Sequence, residues 1–232
     1  MVTSLEPFKK WYAELLALIP ENPGYDISAF FSQTGGKYYE TKPKLLFVGK
    51  SANGWISDST DIDELFDPQS ESRFVNRPDE MTWLENPDAV YNPNKSAFWR
   101  VVKRVTQEFY GGEDWYPYIA WSNLYKLSPS DGGNAPPALL VRQQNICVKI
   151  LNEELRALKP DAVIFLSSCW EQVFLKAMDM DFDQNKDLFW EGNVTSYQTK
   201  DGITYIQSAH PQGKPEDPHV SAVLSILKET VR

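Results

Sequence analysis

Apolar residues recur along the chain with the three- and four-residue spacing of amphipathic helices. This spacing predicts helices over residues 5–19, 96–110, 137–158 and 220–231, and a shorter helix near residues 170–178. Ser96 is the predicted N-cap of the second helix, because its hydroxyl can accept a hydrogen bond from a backbone N–H of the first turn.

Short, continuous apolar runs predict strands that are buried on both faces. The clearest runs are residues 44–48 and 162–166, and weaker patterns predict strands at residues 118–121, 194–198 and 203–207. Strands that alternate with helices imply right-handed crossovers. We therefore expect an α/β fold, a three-layer α/β/α sandwich with a central, mainly parallel sheet.

The segment 58–93 differs from its surroundings, because it is rich in Asp, Ser, Glu, Asn and Pro. This composition predicts a long irregular excursion, which in a compact domain is usually functional or mobile. Length and apolar content predict one domain over residues 1–232, with an N-terminal helical extension at about residues 1–40.

The composition limits the cellular compartments and the kinds of partner that can be expected for this protein. No apolar stretch reaches eighteen residues and the first twenty residues carry scattered charges, so a cytoplasmic protein without a membrane partner is expected. The two cysteines are not paired in a metal-binding spacing, so no metal and no cofactor is predicted. A net charge of -9 opposes non-specific binding to DNA. The best basic patch is the outer stripe of helix 96–110, which carries Arg100, Lys103 and Arg104.

Gly49-Lys50-Ser51 follows the first apolar strand and looks like the end of a phosphate-binding loop. That loop needs a glycine five residues before Gly49, where this chain has Lys44, and the residues between must form the strand. A phosphate-binding loop is therefore rejected. The stretch 49–55 still leaves a parallel strand at its carboxyl edge, where open α/β sheets bind ligands. The alternative is that Gly49 and Gly54 merely permit a turn.

Two other predicted strands end in small polar segments. Asn123 lies in Ser-Asn-Leu-Tyr-Lys at 122–126, and an amide that donates and accepts together suits the edge of a nucleobase. His210 lies in Ser-Ala-His-Pro at 208–211. Taken singly, Asn123 is more often a turn or cap residue and His210 is as often structural. The predicted sheet would bring the three segments to one edge.

The ordered set of segments resembles the uracil-DNA glycosylase superfamily. The matching stretches are Leu-Leu-Phe-Val-Gly at 45–49 with the following loop, residues 122–126, the helix and strand over 137–166, and Ala-His-Pro at 209–211. They span residues 44–211. The resemblance implies a uracil-DNA glycosylase-like fold, a hydrolase of DNA repair and no cofactor.

The resemblance also implies roles for individual residues. Asn123 would read the base, and His210 would stabilise the negative charge on the departing base. Phe74 matches the position that stacks on the base, although a core-packing role for Phe74 is equally open. Gly49 and Lys50 belong to the loop that lines the base-binding site.

The water-activating part of that loop departs from the superfamily pattern. Residues 50–53 contain no carboxylate, so Asn53 could hold a water by hydrogen bonding without acting as a general base. Ser51 cannot act as a general base without an activating partner. Asp58 and Asp61 follow closely, and either could fold back into the site.

The loop after His210 also departs from the superfamily pattern. It carries Glu216 and Asp217, and acidic residues are unfavourable on a surface that contacts phosphates.

Two hypotheses for the function follow. The first is hydrolysis of the N-glycosidic bond of a damaged or deaminated base in DNA, including single-stranded DNA. The alternative is a catalytically inactive module that binds a free nucleobase or nucleotide. A structural protein with an interface built from its eight tryptophans is a weaker third.

Overall fold

The computed structural model describes residues 6–55, 57, 59–67, 69–70, 81–86, 91–133, 135–168, 170–178 and 187–231. The chain divides into two compact units. Unit 1 comprises Met1–Ser32, Lys50–Pro78 and Asn123–Lys159, and unit 2 comprises Gln33–Gly49, Asp79–Ser122 and Pro160–Arg232. No helix in the described part of the chain is long and apolar enough to cross a membrane.

The strands are β1 Ile27–Ala29, β2 Gln33–Thr34, β3 Leu45–Ser51, β4 Ile119–Tyr125, β5 Leu127–Pro129, β6 Ala162–Leu166, β7 Asp187–Phe189, β8 Val194–Gln198 and β9 Thr204–Ser208. The helices are α1 Glu6–Leu16, α2 Ile62–Phe66, α3 Ala97–Tyr110, α4 Pro137–Leu158, α5 Glu171–Ala177 and α6 Glu216–Thr230. Short 3₁₀ helices lie at Thr82–Leu84, Pro93–Lys95, Tyr116–Tyr118 and Trp190–Gly192.

A seven-stranded sheet has the order β2-β4-β3-β6-β9-β8-β7. Its centre is parallel, because β3 pairs with β6 and β6 pairs with β9 in the same direction. Antiparallel pairs follow at both edges, where β2 pairs with β4 and β8 pairs with β9 and β7. The predicted mixed α/β class with a parallel sheet centre is confirmed. The edge strands β2 and β7 were not predicted, because two or three residues are too few to show a period.

The strands β3 and β4 are longer than their apolar runs. β3 continues through Gly49 and Lys50 to Ser51, so the loop that was predicted to start at Gly49 starts at Ala52. All seven residues of β4 are buried, and Asn123 lies inside this strand instead of in a loop after it. Backbone hydrogen bonds between strands can continue through polar residues. The length of an apolar run therefore does not predict where the strand ends.

The major helices match their predicted positions, with differences at their ends. Ser96 caps α3 by accepting a hydrogen bond from the Trp99 N–H at 3.4 Å, as predicted. α6 begins at Glu216 instead of Val220. Its first turn contains Glu216 and Asp217, and carboxylates there complement the positive end of the helix dipole.

Part of the predicted irregular segment 58–93 is helical, which corrects the prediction. The Asp61 carboxylate accepts hydrogen bonds from the N–H groups of Asp63 and Glu64, and this cap starts α2. α2 buries Leu65 and Phe66. The Asp, Ser and Glu that suggested an irregular chain include the residues that cap a short helix and form its first turn.

Unit 1 contains α1 and α4 packed against each other, and the two-stranded pair β1–β5. Its interior includes an ion pair in which Lys126 Nζ lies 2.8 Å from both carboxylate oxygens of Glu154, and both side chains are fully buried. The Gln143 side-chain oxygen accepts from the N–H groups of Lys126 and Leu127 at 3.0 and 2.8 Å. The chain after β4 is thus fixed by side chains of α4.

Candidate functional site

The best candidate site in unit 2 lies at the carboxyl ends of β6 and β9. β6 and β9 are adjacent, parallel strands of the seven-stranded sheet. Open α/β sheets bind ligands beyond the carboxyl ends of their parallel strands. β6 runs into Ser167 and Ser168, and β9 runs through Ser208 to His210.

Ser168 joins the two strand ends. Its backbone N–H donates to the Ser208 carbonyl at 3.1 Å, and its Oγ accepts from the His210 backbone N–H at 2.6 Å. Ser168 has φ 55°, in the left-handed region that a residue with a side chain adopts at a cost. The surrounding hydrogen bonds hold it there, so the end of β6 determines where His210 lies.

His210 is half-buried, and its ring is oriented by its own loop. Its Nδ1 accepts a hydrogen bond from the Gln212 backbone N–H at 3.2 Å. When Nδ1 accepts, the proton of the neutral ring is on Nε2. His210 can therefore present an N–H donor at the strand end.

A buried carboxylate lies behind this edge. Glu171, in the first turn of α5, accepts hydrogen bonds from the Ser167 hydroxyl and from Gln207 Nε2, the latter at 2.7 Å. The Tyr197 hydroxyl in turn donates to the Gln207 side-chain oxygen. Sequence reasoning missed both Glu171 and Ser168. The available signal was the order of an apolar strand, two serines and a helix start.

The second histidine of unit 2, His219, has a different environment. It is fully buried on α6, and its Nε2 lies 2.5 Å from Ser208 Oγ. Burial, helped by the nearby His210, lowers the pKa of His219 to about 4. Trp190 lies with its ring centre 5.3 Å from the His219 ring. His219 is thus neutral at pH 7, and its contact with Ser208 lies on the buried side of the end of β9.

Asn53, in unit 1, is exposed and lies in the loop after β3. Its side-chain oxygen accepts from the Gly133 backbone N–H at 2.7 Å. A side chain at the neighbouring Gly132, which has φ 95°, would place its Cβ 3.0 Å from that oxygen. The structure therefore gives Asn53 a loop-fixing contact, and its predicted contact with a water stays a prediction.

The other predicted site residues have varied surroundings. Asn123, in unit 1, is 2% exposed. Lys50 and Ser51 are half-buried at the end of β3, and burial lowers the pKa of Lys50. Gly49 belongs to the part of β3 in unit 2. Phe74 lies outside the described residues. The hydrogen bonds described above join Asn53 to Gly133, and His210 to Ser168 and Gln212. The catalytic and base-binding roles predicted for these site residues stay predictions.

The cations of the predicted basic patch on α3 are paired with neighbouring acids in the structure. Arg100 Nε lies 2.6 Å from a Glu216 carboxylate oxygen, and Arg104 lies 2.7 Å from Asp217. Lys103 forms a third pair, at 2.9 Å, with Glu85. The acids after the His210 loop, which looked unfavourable for DNA, thus pair with the cations that looked favourable.

Unit 2 also has a wide concavity of about 730 Å³ beside the residues that precede β3. It is lined by Lys37, Glu40, Thr41, Lys42, Tyr110, Gly111, Gly112, Glu113, Asp114 and Tyr118. None of the predicted site residues is among them, and its charges are mixed. The candidate site therefore stays at the carboxyl ends of β6 and β9.

No group of three or more metal-ligating side chains occurs in the described part of the chain. Comparison with known proteins shows that no family model matches the chain and that no curated protein matches it.

Proposed function

We propose that this chain is a uracil-DNA glycosylase-like protein that hydrolyses the N-glycosidic bond of a damaged or deaminated base in DNA. The observation that carries the proposal is the geometry of His210. Its Nδ1 accepts from the Gln212 N–H, so the neutral ring directs a donor from Nε2. A donor held at the carboxyl edge of a parallel sheet is suited to a base that leaves with negative charge.

In the proposed reaction the bond between the sugar C1′ and the base nitrogen breaks, and the electron pair leaves with the base. The His210 Nε2–H donates a hydrogen bond to the base oxygen on which the charge develops. A water oxygen adds to C1′, its proton passes to solvent, and an abasic sugar remains. The resemblance assigns base reading to Asn123 and water orientation to Asn53, and both roles belong to the proposal.

The test is incubation of the purified protein with single-stranded and duplex oligonucleotides that contain one uracil or one hypoxanthine. Abasic sites are measured as alkali-labile breaks. We expect product with at least one substrate. We also expect about a 100-fold lower rate in His210→Ala, the size found when one donor to a developing oxyanion is removed.

The matched control is Gln198→Ala. Gln198 is an exposed residue that pairs with Thr204 at the opposite end of β9, so its loss should leave the rate unchanged. The proposal fails if high protein concentration gives no abasic sites on any substrate, or if His210→Ala reacts as fast as the wild type.

A second candidate is a module that binds a free nucleobase or nucleotide without hydrolysis. Two observations favour it: the Asn53 side-chain oxygen is engaged by the Gly133 N–H, and Arg100 and Arg104 of α3 are paired with acids of α6. Thermal unfolding with uracil, hypoxanthine and their nucleosides tests it. Binding raises Tm with ligand concentration. A rise that His210→Ala abolishes, without any product from oligonucleotides, would favour this candidate over the first.

A further inference from the structure

Ser168 is the residue that links β6 to the loop of His210. It follows Ser167 at the end of the strand, is exposed, and adopts φ 55°. No apolar pattern and no element of the family resemblance points to Ser168. Left-handed backbone in a residue other than glycine is held only where the surroundings enforce it, and such residues concentrate at functional sites.

The contacts of Ser168 run in two directions. Its N–H donates to the Ser208 carbonyl at 3.1 Å, and its Oγ accepts from the His210 backbone N–H at 2.6 Å. The left-handed conformation of Ser168 occurs together with both bonds. Two residues later, the Gln212 N–H donates to His210 Nδ1 at 3.2 Å. The orientation of the imidazole therefore depends on a loop whose first anchor is the Ser168 hydroxyl.

We infer that Ser168 is a positioning residue that holds the His210 loop so that the imidazole carries its proton on Nε2. The inference rests on the proposed function only for its catalytic consequence. The placement of the proton is a property of the protein without substrate. Ser168 acts through His210 and needs no contact with the base.

The test is ¹⁵N NMR of protein labelled in histidine. The chain has two histidines, so the spectrum contains two rings, and His210→Gln assigns them. For the neutral ring in the wild type we expect the His210 signal of protonation on Nε2. Ser168→Ala and Ser168→Gly both remove the acceptor, so both should show a mixture of the two neutral forms.

The glycine variant separates the hydroxyl from the backbone. Glycine adopts positive φ without strain, so a purely conformational role for Ser168 predicts that Ser168→Gly keeps the wild-type ring signal. Ser168→Asn should restore that signal, because asparagine tolerates the left-handed region and its amide oxygen can accept the His210 N–H. Ser225→Ala, which removes the hydroxyl of a half-buried serine on α6, is the matched control and should change neither signal.

Activity is the second readout. If the protein cleaves uracil-containing DNA, we expect kcat to fall about tenfold in Ser168→Ala and Ser168→Gly while KM stays constant. Altered ring signals in a protein that cleaves no substrate would support Ser168 and reject the proposed function. An unchanged ring signal in a correctly folded Ser168→Gly would overturn the inference, whether or not the protein is active. Circular dichroism establishes folding for every variant.

Discussion

Two polar clusters follow strands in this protein, one after β4 in unit 1 and one after β6 and β9 in unit 2. In the first, Lys126 and Glu154 are fully buried and hold each other at 2.8 Å. In the second, Ser168 is exposed and His210 is half-buried. The first cluster lies at the end of a segment whose resemblance suggests base reading, yet its last residue, Lys126, is bound to a helix. Similar polar sequences after a strand can therefore form an enclosed ion pair or stay accessible to solvent.

The largest effect expected from this comparison is on the stability of the enclosed cluster. Glu154→Gln leaves the Lys126 ammonium buried without its counter-charge, so the free energy of unfolding should fall by about 3–5 kcal/mol. Urea unfolding measures the loss. The control is Glu153→Gln on the same helix, whose carboxylate pairs with the exposed Arg156 and should matter by less than about 1 kcal/mol.

Replacement of both members tests whether the loss comes from an unpaired charge. Lys126→Met combined with Glu154→Leu should recover much of the stability, since an apolar pair can substitute for a buried ion pair. Equal losses in Glu154→Gln and Glu153→Gln would contradict the view of the cluster as an enclosed ion pair.

The strand-end cluster of unit 2 should respond to pH through His219. The pKa of His219 is lowered from 6.5 to about 4 in the folded protein, so the unfolded chain binds a proton that the folded chain does not. Stability is therefore fully present above pH 6.5 and falls as the pH is lowered toward 4. We expect His219 to contribute a loss of about 2 kcal/mol between pH 7 and pH 5.

The measurement is urea unfolding at several pH values for the wild type and His219→Gln. Glutamine keeps polar groups near Ser208 but does not titrate, so the variant should lose less stability on acidification. Parallel pH profiles for the two proteins would show that His219 does not titrate with a lowered pKa.

The smallest effect is expected for the exposed ion pairs of α3. Asp217 is 88% exposed and Arg104 is 36% exposed, so Arg104→Gln should change the free energy of unfolding by at most about 1 kcal/mol. A fluorescence assay with a single-stranded oligonucleotide gives a second readout. Since Arg104 is already paired with acids, we expect its loss to leave the salt dependence of binding unchanged. A reduced salt slope would show that Arg104 contacts phosphate.

The local sequence pattern was sufficient to predict the elements in which apolar residues recur over many positions. The helix over Pro137–Leu158 and the strand over Ala162–Leu166 occur with the bounds that spacing alone predicts. Helix α3 with its Ser96 cap is a further example. These features repeat within one or two turns, so neighbouring residues carry the information.

The candidate site was less predictable. The sequence suggested a site at the carboxyl ends of parallel strands and singled out His210, but it centred that site on the loop after β3 and not on the end of β6. Ser168 and Glu171 were not predicted, because neither belongs to a periodic pattern and their partners lie 42 and 36 residues away in the chain. The same limit applied to α3, whose cations form the best basic patch in the sequence, because their acidic partners on α6 could not be identified from the sequence.

The sequence by itself determined the α/β class, the central strands and the main helices, because apolar spacing is a local property that directly sets which face is buried. Only the tertiary structure decided that Asn123 lies buried within β4, that Lys126 belongs to an enclosed ion pair, and that Ser168 holds His210. The physical reason is that a hydrogen bond or ion pair requires two groups within about 3 Å. Which distant residue supplies the second group depends on how the elements pack, and packing is specified by the whole chain.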